Sequence, residues 1–290
     1  MSILNPSHKP DTLLVESGTV LDQELVRALE GAGFACRVLS VDQLLDNPAS
    51  VTPDNPLMVV NASAYAGEAP DERAVRAAGL LAGAELELVL HLSSYQVFGG
   101  GKRREFSEQD APAPLDATGS QWLACEEALA EKPHCAVLRL PWVMDISPAA
   151  LLGRVLAAVD EGKALQLDDR AEGNPVTCRT VARVVQAILL QFSAGATPQP
   201  MLFQCGASDT CTEAAFAGEV FERARSLRED VAEPVLEPGN GERRSAVLAT
   251  RHLRYSFGIQ PRSWREGLNR LVEVWLEKLG AQTSENPTQH

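Results

Sequence analysis

Residues 12–39 read TLLVESGTVLDQELVRALEGAGFACRVL. Residues 12–16 form a short apolar run suited to a buried strand. Apolar residues then recur at 21, 25, 26, 29 and 32, the spacing of one helical face. Gly31 and Gly33 end that helix, and residues 34–39 open a second strand. The same alternation continues outward. Strands are predicted over 56–61, 86–93, 135–140 and 201–205, and helices over 71–83, 118–130, 148–162, 176–192, 212–228 and 264–279. Residues 164–168 read as short and extended. Residues 193–200 read as a loop, as do 233–242, with two Pro and two Gly.

Strands that alternate with helices give an α/β fold, a Rossmann-type doubly wound parallel sheet with helices on both faces. Such a sheet binds ligands at the carboxyl ends of its strands. The expected division is a Rossmann-type domain over 1–145, with 176–199 packing back on it. A small C-terminal α/β substrate lobe is expected from 146–175 and 200–280, closing a cleft, and a disordered tail over 281–290.

The chain has 290 residues, 45% hydrophobic and 22% charged, with a formal net charge of −13. So acidic a surface repels phosphate backbones, which argues against nucleic acid as a partner; it serves solubility or meets a basic protein partner. The N-terminus lacks a long apolar run behind a basic segment, so no signal peptide is expected. No stretch approaches the roughly 18 apolar residues of a membrane span. The six Cys are scattered without a CxxC, as in reduced cytoplasmic proteins, and serve as small apolar filler. The five His show no ligand spacing, and no metal is expected.

A dinucleotide site needs glycines between the first strand and first helix, so that the backbone can approach the pyrophosphate. The junction Val15-Glu-Ser-Gly-Thr-Val-Leu-Asp22 has one glycine, Gly18, and two carboxylates, Glu16 and Asp22. An Asp in the first turn suits the helix dipole unaided and competes with a bound anion.

Several segments, in order from about residue 12 to 272, resemble the extended short-chain dehydrogenases, nearest the dTDP-4-dehydrorhamnose reductases (RmlD-like, sugar-nucleotide-binding). They are Asn61-Ala-Ser-Ala-Tyr65, His91-Leu-Ser-Ser-Tyr-Gln-Val-Phe-Gly99, the stretch 106–115, Leu138-Arg-Leu-Pro-Trp-Val143, Gly173-Asn-Pro-Val176 and the stretch 257–268. The resemblance implies NAD(P) as cofactor, with Gly18, Asn61, Ala62, Ser63 and Pro141 beside it. It puts the catalytic hydroxyl on Ser94 and gives Trp142, Asn174, Arg243 and Arg244 to the substrate lobe.

The departures from this pattern fall on the chemistry. The family's helix reads Pro-Leu-x-x-Tyr-Gly-x-x-Lys-Leu-x-x-Glu. Here Pro114, Leu115, Gly119, Leu123 and Glu126 match, but Thr118 stands for the Tyr and Trp122 for the Lys. A Thr hydroxyl is a far weaker acid than a phenol, and an indole carries no charge. General acid–base catalysis is worth about 10² to 10⁴ in rate, so Thr118 and Trp122 read as vestiges of a lost relay. Tyr95, next to Ser94, is the stand-in that a repaired enzyme would use. Trp122 and Trp142 either fill the cofactor slot or offer a stacking platform for a base. Arg139 reads as an ion-pair partner within the protein, and Lys102, Arg103 and Arg104 as a solvated run at the cleft rim.

The expectation is a reductase-like protein that has lost its reductase activity. It would bind a nucleotide-type small molecule or serve as a subunit of a partner enzyme, as a monomer or homodimer. The competing expectation is an active NAD(P)-dependent reductase or epimerase acting on a sugar nucleotide.

Overall fold

The computed structural model describes residues 10–51, 57–65, 69–99, 105–130, 132–147, 150–162, 164–167, 170–196, 199, 201–228, 231, 235–238 and 245–285. In chain order the first half is β1 (Asp11–Val15), α1 (Val20–Gly31), β2 (Cys36–Leu39), α2 (Val41–Asp46), β3 (Leu57–Asn61), α3 (Glu72–Gly83), β4 (Leu88–Ser94), α4 (Ala117–Leu129) and β5 (Cys135–Leu140). The second half is β6 (Val143–Met144), α5 (Leu151–Glu161), β7 (Ala164–Leu167), β8 (Glu172–Gly173), β9 (Val176–Thr177), α6 (Cys178–Ser193), β10 (Leu202–Gln204), β11 (Cys211–Thr212), α7 (Glu213–Leu227), β12 (Val235–Pro238), β13 (Ser245–Ala246), α8 (Arg251–Phe257) and α9 (Arg265–Glu285).

Six strands form one parallel sheet in the order β10-β5-β4-β3-β1-β2. The side-chain period of two sorts its apolar residues onto two faces. Leu14, Met58, Val60, Leu88, Leu90 and Leu138 meet Leu25 of α1, Val185 of α6 and Leu253 of α8. Leu13, Val15, Leu57, Val59 and Val89 meet Leu44 of α2, the Ala-rich face of α3, and Trp122, Cys125 and Leu129 of α4. Each such burial contributes about 1.5–3 kcal/mol, which is why both faces must be covered.

The strand order reverses between β1 and β3, so the crevice lies at the carboxyl ends of these two strands. There the Ala62 N–H donates to the Val15 carbonyl at 2.9 Å. A separate core, with Leu152, Val155 and Leu156 of α5, Phe216 and Val220 of α7, Trp264, and Leu268 of α9, builds a smaller body braced by short strands.

Four sequence expectations are corrected. First, β10 pairs with β5 at the edge of the large sheet, and α8 packs on the same sheet. Residues 202–204 and 251–257 therefore sit with the large body and not the small lobe, because Phe203, 0% exposed, inserts into its core. Second, the loop expected over 233–242 contains β12, parallel to β7. Pro238 is accommodated because β12 is an edge strand of a two-stranded sheet. Third, α9 runs past Gly280 to Glu285, through part of the tail expected to be disordered. Ala281 to Glu285 contains no Pro to stop it, and residues 286–290 lie outside the described residues. Fourth, Val176 and Thr177 form β9 and the α6 cap, not the first turn of that helix; a two-residue strand leaves no pattern to read. No helix among the described residues is long and apolar enough to cross a membrane.

Candidate functional site

The β1–α1 turn is closed on itself. Gly18 adopts φ +74°, the left-handed region, and Thr19 caps α1 in a reciprocal box with Asp22. The Asp22 carboxylate is 7% exposed. It accepts the Ser17 N–H at 3.0 and 3.1 Å, the Ser17 hydroxyl at the same distances, and the Thr19 N–H at 3.0 Å. These donors stand at the first helix N-terminus, where this kind of fold seats a diphosphate. Here an internal carboxylate takes them.

Across the crevice, the segment after β3 also turns inward. Asn61, fully buried, accepts from the Ser63 N–H at 3.2 Å and the Ser63 hydroxyl at 2.7 Å. Asn61, Ala62 and Ser63 are all buried. Tyr65 donates its hydroxyl to the Ser93 carbonyl at 2.8 Å, and burial holds its phenol well above the ordinary range. Its ring lies 4.7 Å from that of Trp122, tilted by 59°. Trp122 is 4% exposed, so it is part of the core between β4 and α4. One turn earlier on α4, Thr118 is half-buried.

Ser94 ends β4 and caps the short turn Tyr95–Val97, its Oγ accepting the Gln96 N–H at 3.3 Å. That turn lies against α4, and Gly119 makes the approach feasible: a Cβ there would sit 2.4 Å from the Gln96 carbonyl oxygen and 2.8 Å from Pro114 Cβ. Below it, Glu126 accepts from Ser93 Oγ at 2.6 Å, Arg139 Nε at 2.9 Å and Arg139 Nη2 at 2.6 Å. Arg139 thus acts as the internal ion-pair partner that the sequence suggested, and Phe98 lies under its guanidinium. His91 is fully buried in β4, and burial pulls its imidazole down to about 4, against the opposing pull of Glu126.

Tyr95, Gln96, Phe98, Gly99, Leu115, Asp116 and Ser245 line a cavity of about 20 Å³, room for one water-sized guest. On the small-lobe side Pro141 is buried and Trp142 half-buried, the indole lying where a Cβ on Gly173 would come within 2.7 Å of it. The Asn174 amide is spent within the protein: it donates to the Ala207 and Leu248 carbonyls at 3.3 and 3.0 Å and accepts the Leu248 N–H at 3.1 Å. Arg243, Arg244, Lys102, Arg103 and Arg104 lie outside the described residues. No group of three or more His, Cys, Asp or Glu among the described residues could hold a metal ion. Burial pushes the Cys125, Cys205 and Cys211 thiols up to about 12, too high for a thiolate nucleophile near neutral pH.

The structure therefore gathers Ser94, Tyr95, Thr118 and Trp122 on adjoining elements at one strand end, and Gly18 and Asn61–Ser63 around the neighbouring crevice. Only Tyr95 of these lines the cavity. The Tyr65–Trp122 contact, the identity of Glu126 and Ser93 as the partners in the Arg139 cluster, and buried His91 escaped the sequence reading. The i, i+4 spacing of Trp122 and Glu126 on α4 was the one available signal.

Known proteins resemble the chain in sequence and in fold. The family profile described as the RmlD substrate binding domain matches residues 12–276. The dTDP-4-dehydrorhamnose reductase of Shigella flexneri is 28% identical over 279 residues, 86% of this chain and 92% of that protein. The one from Sinorhizobium fredii is 26% identical over 201 residues, 65% of this chain and 66% of its own length. Among solved structures, the Bacillus anthracis dTDP-4-dehydrorhamnose reductase in complex with NADP superposes with a TM-score of 0.72 at 15% identity, covering 91% of this chain and 99% of its own. The UDP-glucose 4-epimerase of Thermotoga maritima with UDP-glucose gives 0.74 at 16% identity, covering 93% and 99%. At such identities these superpositions speak for the fold.

Proposed function

The chain belongs to the RmlD substrate binding domain family, with the Rossmann-type sheet of the extended short-chain dehydrogenases, and from that premise we propose that it works by binding rather than by turnover. The observation that carries this reading is Trp122. A buried indole packed on Tyr65 occupies the helix position from which the family's Lys would tune a phenol and hold a nicotinamide ribose. Thr118, one turn before it, has no phenol to offer. Asp22 supports the same conclusion, because a dinucleotide diphosphate would have to displace a carboxylate that already holds three donors. The residues present do not fit NAD(P) in the family's manner.

The protein proposed here is a cytoplasmic pseudoenzyme. Its cleft retains a nucleotide or sugar-nucleotide type ligand, or its surface serves a partner enzyme. The relatives' names and the UDP-glucose carried by the Thermotoga epimerase favour the sugar-nucleotide class. A second reading, reduction or epimerisation through Ser94 and Tyr95, rests on the place of Tyr95 in the cavity wall.

Melting temperature and intrinsic fluorescence, followed during titration with NADPH, NADH and UDP-glucose separately, test the proposal. A ligand at 100 times its Kd stabilises the folded state by about 2.7 kcal/mol, a readily measured shift. The expected result is no response to either reduced dinucleotide and a response to the sugar nucleotide alone. A saturable NADPH response with product formation would overturn it.

A further inference from the structure

The second half of the chain contains a stretch whose charge runs against the rest. From Arg243 to Arg265 there are six Arg and one His and no Asp or Glu, in a protein of net charge −13. Within it, Arg262 pairs with Glu266, and Arg265 with Asp209 and Glu219. Arg251 and Arg254, both exposed on α8, pair with no carboxylate among the described residues. The Arg254 guanidinium lies 5.2 Å from the ring centroid of Tyr255, and Tyr255 is 75% exposed, the highest among the exposed large apolar side chains of the described residues.

The inner side of α8 is firmly held. Leu253 and Phe257 are buried in the sheet core, Phe257 lies edge-on to Phe203 at 5.0 Å, and His252 Nδ1 sits 2.9 Å from the Leu202 carbonyl oxygen. A rigid element thus presents an aromatic ring and two guanidinium groups that pair with no carboxylate among the described residues. Tyr and Arg are the types that concentrate binding energy at protein interfaces, the ring giving apolar area at small entropic cost and the fork matching a carboxylate. Of the helices at the cleft, α4 lies on the opposite face of the sheet from α8.

We infer that the outer face of α8 (Arg251, Arg254 and Tyr255) is a docking surface for an acidic protein segment carrying an apolar residue. Charge complementarity selects this occupant. A long polyanion such as nucleic acid would feel the whole chain's negative charge, whereas a short acidic segment interacts mainly within about 10 Å, the screening length at 0.1 M salt. This specifies the partner side of the binding reading, yet does not depend on what the cleft holds.

The probe is a fluorescein-labelled short peptide of Glu and Leu, titrated into the full chain from about 0.1 M salt upward, with anisotropy for affinity and backbone amide NMR shifts for location. The expected result is binding that weakens with salt, shifts that cluster on residues 251–257, and affinity lost roughly tenfold or more in Arg251→Glu/Arg254→Glu. Tyr255→Ala should weaken it as well. Because these side chains are exposed, the variants should melt with the native protein. No binding, binding indifferent to the charge reversal, or a native dimer that Tyr255→Ala dissolves would each overturn the inference; none of these bears on the dinucleotide titration.

Discussion

Arg139 clasps Glu126 through two hydrogen bonds, of 2.9 and 2.6 Å, with the two side chains 3% and 9% exposed. The pair ties the carboxyl ends of β5 and β4, through Ser93, to the last turn of α4. Removing one member of such a pair strands a charge in the core, at a cost of about 3–5 kcal/mol. Arg139→Met should lose that much in urea denaturation. The double variant Glu126→Met/Arg139→Met should regain most of the loss, because no lone charge is left. A double variant as unstable as the single one would mean that the pair sets the packing as well as the charge balance.

Trp122 buries its ring against Tyr65, so its size matters more than its chemistry. Trp122→Ala should lower stability by about 3–5 kcal/mol with an unchanged urea m-value. Restoring the family pair with Thr118→Tyr/Trp122→Lys should destabilise too, since an ammonium would replace an indole in the core. That variant should show no reductase turnover while Asp22 still occupies the first turn. Turnover with NADPH in that variant would show that the relay alone had been missing.

How much of this the sequence disclosed depends on how local each signal is. The sheet was legible because strands buried on both faces read as continuous apolar runs, such as Leu57–Asn61 and Leu88–Ser94. The register of α4 was legible because Pro114, Gly119 and Glu126 each have a fixed packing duty: Gly119 touches Gln96, and Glu126 holds Arg139. The competition at Asp22 was readable from its place in the first turn, but not its reach back to Ser17. The contacts of Trp122 with Tyr65 and of Asn174 with Leu248 join residues far apart in the chain, which spacing cannot reveal. The assignment of Asn174 to a substrate wall rested on resemblance, and its amide proves fully engaged within the fold.

The turn that Asp22 completes gives a prediction in both directions. Asp22→Ala leaves the Ser17 N–H without its acceptor and the Thr19 N–H with only Ser17 Oγ at 3.3 Å, and should cost about 2 kcal/mol. The vacated donors then face an open helix N-terminus. Inorganic pyrophosphate should therefore raise the melting temperature of Asp22→Ala and leave the native protein unmoved, as read by thermal shift. Equal stabilisation of both proteins would place the anion elsewhere.

His91 supplies the pH dependence. Its imidazole falls from 6.5 to about 4 in the folded chain because burial penalises the charged form. The unfolded chain therefore binds this proton first. Stability due to His91 is intact above pH 6.5, declines as pH falls below it, and levels off below about 4, a total of about 3 kcal/mol. Glu108 works with the opposite sign: burial raises its carboxyl, so acidification relieves rather than weakens its contribution. Denaturation of the native protein and of His91→Leu at several pH values between 7 and 4 separates the two, because the variant keeps Glu108 and loses the imidazole. The stability difference between the two should move in the variant's favour by about 3 kcal/mol from pH 7 to pH 4, as the native protein loses stability that the variant retains. Parallel profiles would show that water or a neighbouring group lets His91 take up its proton inside the fold.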